Sequence, residues 1–502
     1  MLLVFLAMRP FFAGNAWVAL FSDANVGLHI RTGDLIRATG HAPASEPFSF
    51  SLPGQPWFAW EWVTATGLSW IHSFGGLAAV GVVAVALITA WTALTLRNCV
   101  LTSRQWIPAL ALTMVGFEAA SIHLLARPHL ITWVLLAGAI GLMERERVQP
   151  SYRLWLLAPL TVLWANLHGG FPTLVVYLFL LAGGLGAEAL WHKGEWRPAI
   201  RFAAAGVLAL AASLVNPFGI RLHLHIFQYI RSPWLVELVE EYHAPSPALG
   251  EPYYWFLGLT ALAAAAAVSI VRRRGVAGAL LLGFFGWSAL QSARHIPIFV
   301  TVALPLIAGE IARWFAVWRQ RSGEKGVAAV IGGFEAEGLA QFSRHSLVAP
   351  VWLVTALWYP ALLGAPGEFP EKHFPIGLVG RHSELLQSQR LLTTDAWGDY
   401  VAYKGFPRTR VFVDGMNDFF GPALGRDYLE MLDAGPRTGE LFARWQFDTA
   451  LVPAGKPLSL WLRQQGDWRL VEATTQAELF VRTPGGRETP VRPSTNGHPA
   501  SQ

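Results

Sequence analysis

Apolar residues come in long runs up to about residue 363 and in short runs afterwards, and that change of pattern divides the chain. The long runs cover about 63–96, 106–125, 128–143, 153–166, 171–191, 202–218, 253–271, 276–292, 296–315 and 347–363. They follow a first apolar stretch, Met1 to Phe21, that Arg9 and Pro10 interrupt. This stretch has neither a basic leader nor a small-residue cleavage site, so it reads as a span or anchor. A crossing needs about 20 apolar residues, so the pattern predicts a polytopic α-helical membrane protein with about 11 transmembrane helices. From 364 onward, short apolar runs at 390–394, 411–413, 449–452 and 479–481 alternate with helix-like stretches at 376–388, 422–434, 438–445 and 457–465. Alternating strands and helices predict a small α/β domain over 364–483. Beyond it, the Gly, Pro, Ser and Thr of 484–502 predict a disordered tail.

Composition agrees with the membrane reading and adds a sidedness. Of 502 residues, 53% are hydrophobic and 14% charged, with a mean hydropathy of +0.38. A soluble domain carries about 25% charged residues. The net charge is +5, the basic residues are nearly all Arg, and between the apolar runs they come as short clusters: Arg97/Arg104, Arg145/Arg147/Arg153, Lys193/Arg197/Arg201, Arg272/Arg273/Arg274 and Arg313/Arg319/Arg321/Lys325. Each basic connector falls two crossings after the last, which marks a cytoplasmic side and argues against a nucleic-acid partner. The opposite face then carries a loop from 22 to 62, tight turns near 126, 168 and 294, a loop from 219 to 252, and the α/β domain. Together, 1–363 form the membrane domain with these two outer loops. A single cysteine, Cys99, excludes an intrachain disulfide and a cysteine-based zinc site.

Ionisable residues in or beside apolar runs need partners or a cavity. Asp23 directly follows the first run, at a depth where a carboxylate can act as general base on a substrate at the membrane surface. Glu118 and His123 lie within the third run, and Arg127 and His129 flank Pro128 at its outer turn. The runs Asn166-Leu167-His168-Gly169-Gly170 and Asn216-Pro217-Phe218-Gly219 end helices, and taken singly their Gly, Pro and amide groups are helix terminators. Likewise a solvated loop with an aromatic interfacial belt accounts for Trp57, Trp60 and Trp62. Arg294 and His295 sit in another such turn. The collective pattern is harder to explain by capping. Asp23, His29, Glu61, Arg127, His129, Asn166, His168, Asn216, Arg221, Glu240, Glu241, His243, Arg294 and His295 all fall at outer ends, away from the basic connectors. Carboxylates for acid–base work and Arg and His for an anion point to a polar cavity at the outer leaflet. Segment 219–252 carries Ile226, Phe227, Ile230, Trp234, Leu235 and Leu238, the pattern of an amphipathic helix at the interface.

These residues resemble the GT-C glycosyltransferases, multispanning enzymes with a large outward loop and an acidic residue after the first span. The match is narrower in Asp23-Ala24-Asn25-Val26-Gly27-Leu28-His29-Ile30-Arg31-Thr32-Gly33, Pro43, Glu46-Pro47-Phe48-Ser49-Phe50, Trp60-Glu61-Trp62, Arg127-Pro128-His129, Asn166-Leu167-His168-Gly169, Asn216-Pro217-Phe218-Gly219, Trp397-Gly398-Asp399-Tyr400 and Val413-Asp414-Gly415. Those runs are similar to a group of bacterial membrane proteins of this class with a C-terminal periplasmic α/β domain.

The resemblance implies an inverting transferase that moves a sugar from a polyprenyl-phosphate donor to a glycan, lipid or protein acceptor on the outer face of the inner (plasma) membrane. In that reading Asp23 is the base, Glu61 a second catalytic carboxylate, and Arg127 and Arg294 bind the lipid phosphate. His29, His129, Asn166, His168 and His295 complete the substrate-binding set. The group often has Asp-x-Asp where this chain has Asp23-Ala24-Asn25, and His-Glu-Trp where it has Trp60-Glu61-Trp62. The first departure removes a carboxylate from a metal set, so no metal ligand is assigned, while a divalent ion stays open. Two other classes compete. A transporter or flippase for a lipid-linked glycan would need an ionisable path to the cytoplasmic ends, and a non-catalytic envelope assembly protein would use its tail for recognition.

Overall fold

A computed structural model describes residues 15–322, 332, 364–387 and 390–483. They form two units: residues up to 46 together with 54–373, and 47–53 together with 374 onward. The short piece 47–53 therefore leaves the 22–62 loop to join the second unit.

The first unit is helical. Its order is α1 (Asn15–Leu20), α2 (Asn25–Thr39), α3 (Trp62–Ser103), α4 (Trp106–Ala120), α5 (His129–Val148), α6 (Leu157–Leu167), α7 (Pro172–His192), α8 (Arg197–Ala212), α9 (Ile220–Ile230), α10 (Pro233–Leu238), α11 (Glu251–Arg272), α12 (Ala277–Gln291) and α13 (Ile296–Ser322). Among the described residues, five helices have the length and hydropathy to cross a membrane: Trp62–Ser103, Trp106–His123, Pro172–His192, Glu251–Arg272 and Ala293–Arg321. The other described runs fold into helices of 11 to 20 residues: α5, α6, α8 and α12. Of the first expected span, residues 15–21 are described, and the run at 347–363 lies outside the described residues. Gly75 and Gly76 leave helical geometry inside α3, with Gly76 at φ 61°. Residues 62–74 are thus a separate segment. It carries exposed Trp70 and Phe74, and the Arg37 guanidinium lies 4.0 Å over the Trp70 ring.

Segment 219–252 differs from the single amphipathic helix expected of it. Pro233 lacks an N–H to continue a helix, so the chain breaks into α9 and α10. Leu222 and Ile226 are buried while Ile220, Leu224, Phe227 and Ile230 are exposed, so Phe227 and Ile230 face away from Ile226.

Helices immersed in lipid gain little by hiding apolar surface from one another, and close packing of small residues takes over. A Cβ on Gly33 of α2 would meet the Ala65 carbonyl of α3 at 2.0 Å, and one on Gly184 of α7 would meet the Ala277 Cα of α12 at 2.3 Å. Between the ends of the bundle, buried polar side chains form neutral pairs. Trp91 donates to Thr301 Oγ1 at 2.8 Å and Asn98 to the Ala137 carbonyl at 2.7 Å.

The two ends differ in chemistry. At one end, Arg201 reaches Glu146 at 3.2 Å and the Ser151 carbonyl at 2.7 Å, His192 meets the Arg274 carbonyl at 3.1 Å, and Arg273 and Arg313 both pair with Glu310. The basic connectors thus gather together with acids. Glu146, Glu188 and Glu310 lie there too, so carboxylates are less segregated than the charge pattern suggested. Glu188 accepts from the Val276 and Ala277 amides at 2.6 and 2.8 Å.

The second unit is a five-stranded sheet in the order β2-β1-β3-β5-β4, with β1 Arg390–Thr393, β2 Arg410–Val411, β3 Thr449–Pro453, β4 Trp468–Ala473 and β5 Ala477–Arg482. β1 runs parallel to β2 and β3, and β5 is antiparallel to β3 and β4, with Leu451 opposite Leu479. β4 has no counterpart among the expected strands, because its half-exposed Trp-Arg-Leu-Val-Glu-Ala pattern lacks a clean alternation. The helices are α14 (Ile376–Arg381), α15 (Asp395–Gly405), α16 (Asn417–Leu432), α17 (Thr438–Trp445) and α18 (Pro457–Gln464). Leu392, Phe412, Met431, Leu441, Phe447 and Phe480 are buried at its core. Residues 47–53 dock beside β2, where Phe50 donates its amide to the Val411 carbonyl and Val411 donates to that of Phe48, both at 3.0 Å.

The Trp397-Gly398-Asp399-Tyr400 and Val413-Asp414-Gly415 runs lock α15 to the turn after β2. The Gly415 amide donates to Asp399 Oδ1 at 2.6 Å, and a Cβ on Gly398 would stand 2.3 Å from the Val413 carbonyl. Asp399, Tyr400 and Asp414 are buried, which makes these runs a packing device.

Candidate functional site

The end of the helical unit opposite the arginine connectors carries two linked groups of side chains. The first starts at Asp23, in the turn between α1 and α2. Its Oδ1 accepts the Asn25 amide at the start of α2 at 2.6 Å, and its Oδ2 forms an ion pair with Arg127 from the turn before α5. Arg127 continues to Glu241 at 3.5 Å, and Glu241 is also 3.5 Å from His123 Nδ1 and 3.8 Å from Arg294 Nη1. Arg294 in turn donates to the hydroxyls of Tyr229 and Tyr242, and its guanidinium lies 4.6 Å over the Tyr242 ring. Two guanidiniums thus balance two carboxylates. Burial raises the pKa of Glu241, but His123, Arg127 and Arg294 outweigh it and hold the carboxyl down at about 2. Burial pushes the neighbouring Tyr242 hydroxyl well up, so it stays protonated and can donate.

Glu61, immediately before α3, centres the second group. Its two oxygens face His29 Nε2 at 3.2 Å and His168 Nε2 at 3.3 Å. The tautomer of His168 follows from its other nitrogen. Nδ1 accepts the Gly170 amide at 2.9 Å and the Thr132 hydroxyl at 2.7 Å, whose oxygen accepts from Trp164 Nε1 at 2.8 Å. A nitrogen that accepts a backbone N–H carries no proton, so the ring proton is on Nε2, aimed at Glu61. Burial first, then Arg294, His29 and His123, lower the His168 pKa to about 3. At His29 burial lowers the pKa to about 4, so the ring stays neutral beside Glu61. The charges of Arg294 and His123 are felt at His168, so the two groups are electrostatically linked.

Five of the expected residues other than Asp23 meet there: His29, Glu61, Arg127, His168 and Arg294. The others are turned elsewhere. Asn166 accepts from Trp62 Nε1 at 3.0 Å and donates to the Val162 and Val215 carbonyls, both at 2.8 Å, so it splices helix ends together. His129 is buried against His123 and Trp133, with Nε2 3.0 Å from the His123 carbonyl. His295 folds back on Ser288, 2.8 Å from its hydroxyl. Asn216 bonds within its own turn, and Glu118 is exposed on α4. Tyr229, Tyr242 and Thr132 gave no signal in the sequence, and Glu241 stood out only as a member of the outer-end set, with nothing to single it out from Glu240. Its importance comes from contacts with residues more than fifty positions away.

Among the described residues, no three His, Cys, Asp or Glu side chains are grouped as a metal site. His29, Glu61 and His168 come nearest in kind. The Nε2 proton on His168 blocks that nitrogen as a ligand, so this set does not fit a metal.

Neither a protein-family model nor a curated protein matches the chain. Solved structures do. The apo oligosaccharyltransferase of Archaeoglobus fulgidus superimposes with a TM-score of 0.51 at 11% identity, over 90% of this chain and 69% of that one. The same enzyme tethered through a disulfide to an acceptor peptide with the NVT sequon gives 0.52 at 11% identity, over 95% and 74%. ArnT from Cupriavidus metallidurans in the apo state gives 0.40 at 13% identity, over 93% and 96%. At 11% identity the similarity to the oligosaccharyltransferase is one of fold.

Proposed function

We propose that this protein is a membrane glycosyltransferase that takes a sugar from a polyprenyl-phosphate donor and passes it, with inversion, to a glycan, lipid or protein acceptor on the outer face of the membrane. The observation that carries the reading is the Asp23–Arg127–Glu241–Arg294 network beside Glu61, at the end of the bundle remote from the arginine connectors. By the positive-inside rule that end faces outward. The fold it shares with an oligosaccharyltransferase supports a transferase over a carrier. So does the neutral packing around Trp91 and Thr301 between the two polar ends.

Glycosyl transfer needs a base at the acceptor hydroxyl and cations at the departing phosphate. Asp23 takes the acceptor proton as the acceptor oxygen attacks the anomeric carbon. The bond from that carbon to the phosphate oxygen breaks, and its electron pair leaves with the phosphate. Arg127, released from Asp23 by the incoming phosphate, and Arg294 hold that charge. Glu61, oriented by His168 Nε2–H and by His29, positions the acceptor or sugar hydroxyls. Transfer from a polyprenyl-phosphate sugar by the purified chain, compared with Asp23→Asn, tests this. Equal turnover in the two proteins would remove Asp23 from the reaction.

A further inference from the structure

The Glu241 carboxylate sits where an anion would be expected. Three basic side chains from separate parts of the chain, His123, Arg127 and Arg294, converge on it. It is held loosely: its N–O separations are 3.5, 3.5 and 3.8 Å, whereas a charge-assisted hydrogen bond closes at about 2.7–2.9 Å. Arg127 retains a buried Nε with no hydrogen-bond partner, so the cradle has donor capacity that Glu241 leaves unused. The backbone around Glu241 is pinned, its carbonyl accepting from Ser292 Oγ at 3.0 Å and that of His243 from the Ala293 amide at 2.9 Å. The side chain can therefore swing while the loop stays anchored. Charge forbids simultaneous occupancy. With Asp23 and Glu241 already balancing Arg127 and Arg294, a phosphate added beside Glu241 would find no uncompensated cation and would leave the site with excess negative charge.

We infer that Glu241 is a resident stand-in for a phosphate group, and that a phosphate-bearing ligand binds at His123, Arg127 and Arg294 by displacing its carboxylate. The inference rests on the proposed transferase reading for its biological ligand, but the competition is a property of the site alone. It gives the empty enzyme a neutral, closed cradle and makes affinity for the phosphate a balance between an internal and an external anion. Phosphate binding then frees Arg127 and Arg294 from Glu241 together.

The test uses the full chain in detergent and measures binding of inorganic phosphate, farnesyl phosphate and farnesol to the wild type, Glu241→Asp and Glu241→Gln. Glutamine keeps the shape and removes the charge, and aspartate keeps the charge but withdraws it by one methylene. Phosphate-bearing ligands should bind about tenfold more tightly to Glu241→Gln than to the wild type, with Glu241→Asp between them and farnesol unchanged. Tightening for both phosphates assigns the site to the free anion as well as the lipid headgroup, and tightening for farnesyl phosphate alone assigns it to the headgroup. Equal or weaker phosphate binding in both variants overturns the inference. If Asp23→Asn abolishes sugar transfer while Glu241→Gln fails to tighten binding, the inference falls and the transferase reading stands. If Glu241→Gln tightens phosphate binding while Asp23→Asn leaves transfer unchanged, the phosphate site stands and the role of Asp23 falls.

Discussion

The Asp23 carboxylate and the Arg127 guanidinium form an ion pair that ties the turn after α1 to the turn before α5, across 104 positions of sequence. The other carboxylate oxygen holds the Asn25 amide, so the candidate base is fixed in direction before any substrate arrives. Replacing it by asparagine keeps the shape and an acceptor for that amide but removes the basic oxygen. Asp23→Asn should lower turnover by about 10² to 10⁴ with little change in melting temperature. Sugar transfer measured beside a thermal melt checks both halves.

Arg294 contacts Glu241, Tyr229 and Tyr242 at once, and in the proposed reaction it meets the phosphate as charge develops. Arg294→Gln should reduce kcat/KM for the donor by about 10² or more, through a lower kcat as well as a higher KM. A change confined to KM would mean that Arg294 binds the ground state and does not assist departure.

His29 and His168 are held neutral by burial, with pKa values lowered to about 4 and about 3. Both folded values lie below the unfolded one, so the unfolded chain binds more protons between about pH 3 and 6.5, and stability is lost as pH falls through that window. At pH 5 the loss is on the order of 2 kcal/mol per histidine. Melting temperature should fall from pH 7.5 to pH 5, and His168→Gln, which keeps a donor near Glu61 without titrating, should fall less. Parallel curves for wild type and variant would contradict the assignment.

Asn166 spends its side chain on Trp62 and the Val162 and Val215 carbonyls and makes none of the contacts that link the charged groups. Asn166→Ala should destabilise the protein by about 1–3 kcal/mol, leaving turnover of the folded fraction close to wild type. Specific activity normalised to folded protein decides between this and a direct role in substrate binding.

Gly33 and Gly398 each sit against backbone of a neighbouring segment, where an added Cβ would stand 2.0 Å from the Ala65 carbonyl and 2.3 Å from the Val413 carbonyl. Gly33→Ala and Gly398→Ala should each cost about 1–3 kcal/mol or more, since backbone must shift to admit the methyl group. Limited proteolysis of the full chain should show Gly398→Ala loosening the second unit while the helical unit stays protected.

Much was legible in the sequence because it is written in local order. Apolar runs of membrane length, the shift to short runs after 363, and arginine connectors at alternate turns are properties of neighbouring residues, and they determined the membrane character and the sorting of the two ends. Asn166-Leu167-His168-Gly169-Gly170 was readable as a helix end, and the Gly170 amide does close on His168. Tertiary structure alone decided how those ends meet. The Glu61–His168, Arg127–Glu241 and Glu241–Arg294 pairings join residues from 53 to 114 positions apart, and no periodicity specifies which turn faces which. The same holds for residues 47–53, whose amides pair with β2 across more than 350 residues, and for the proton on His168, which a glycine amide and a threonine hydroxyl assign by occupying the opposite nitrogen. Local pattern determines which segments leave water. Packing of the helices determines which charges then have each other as neighbours.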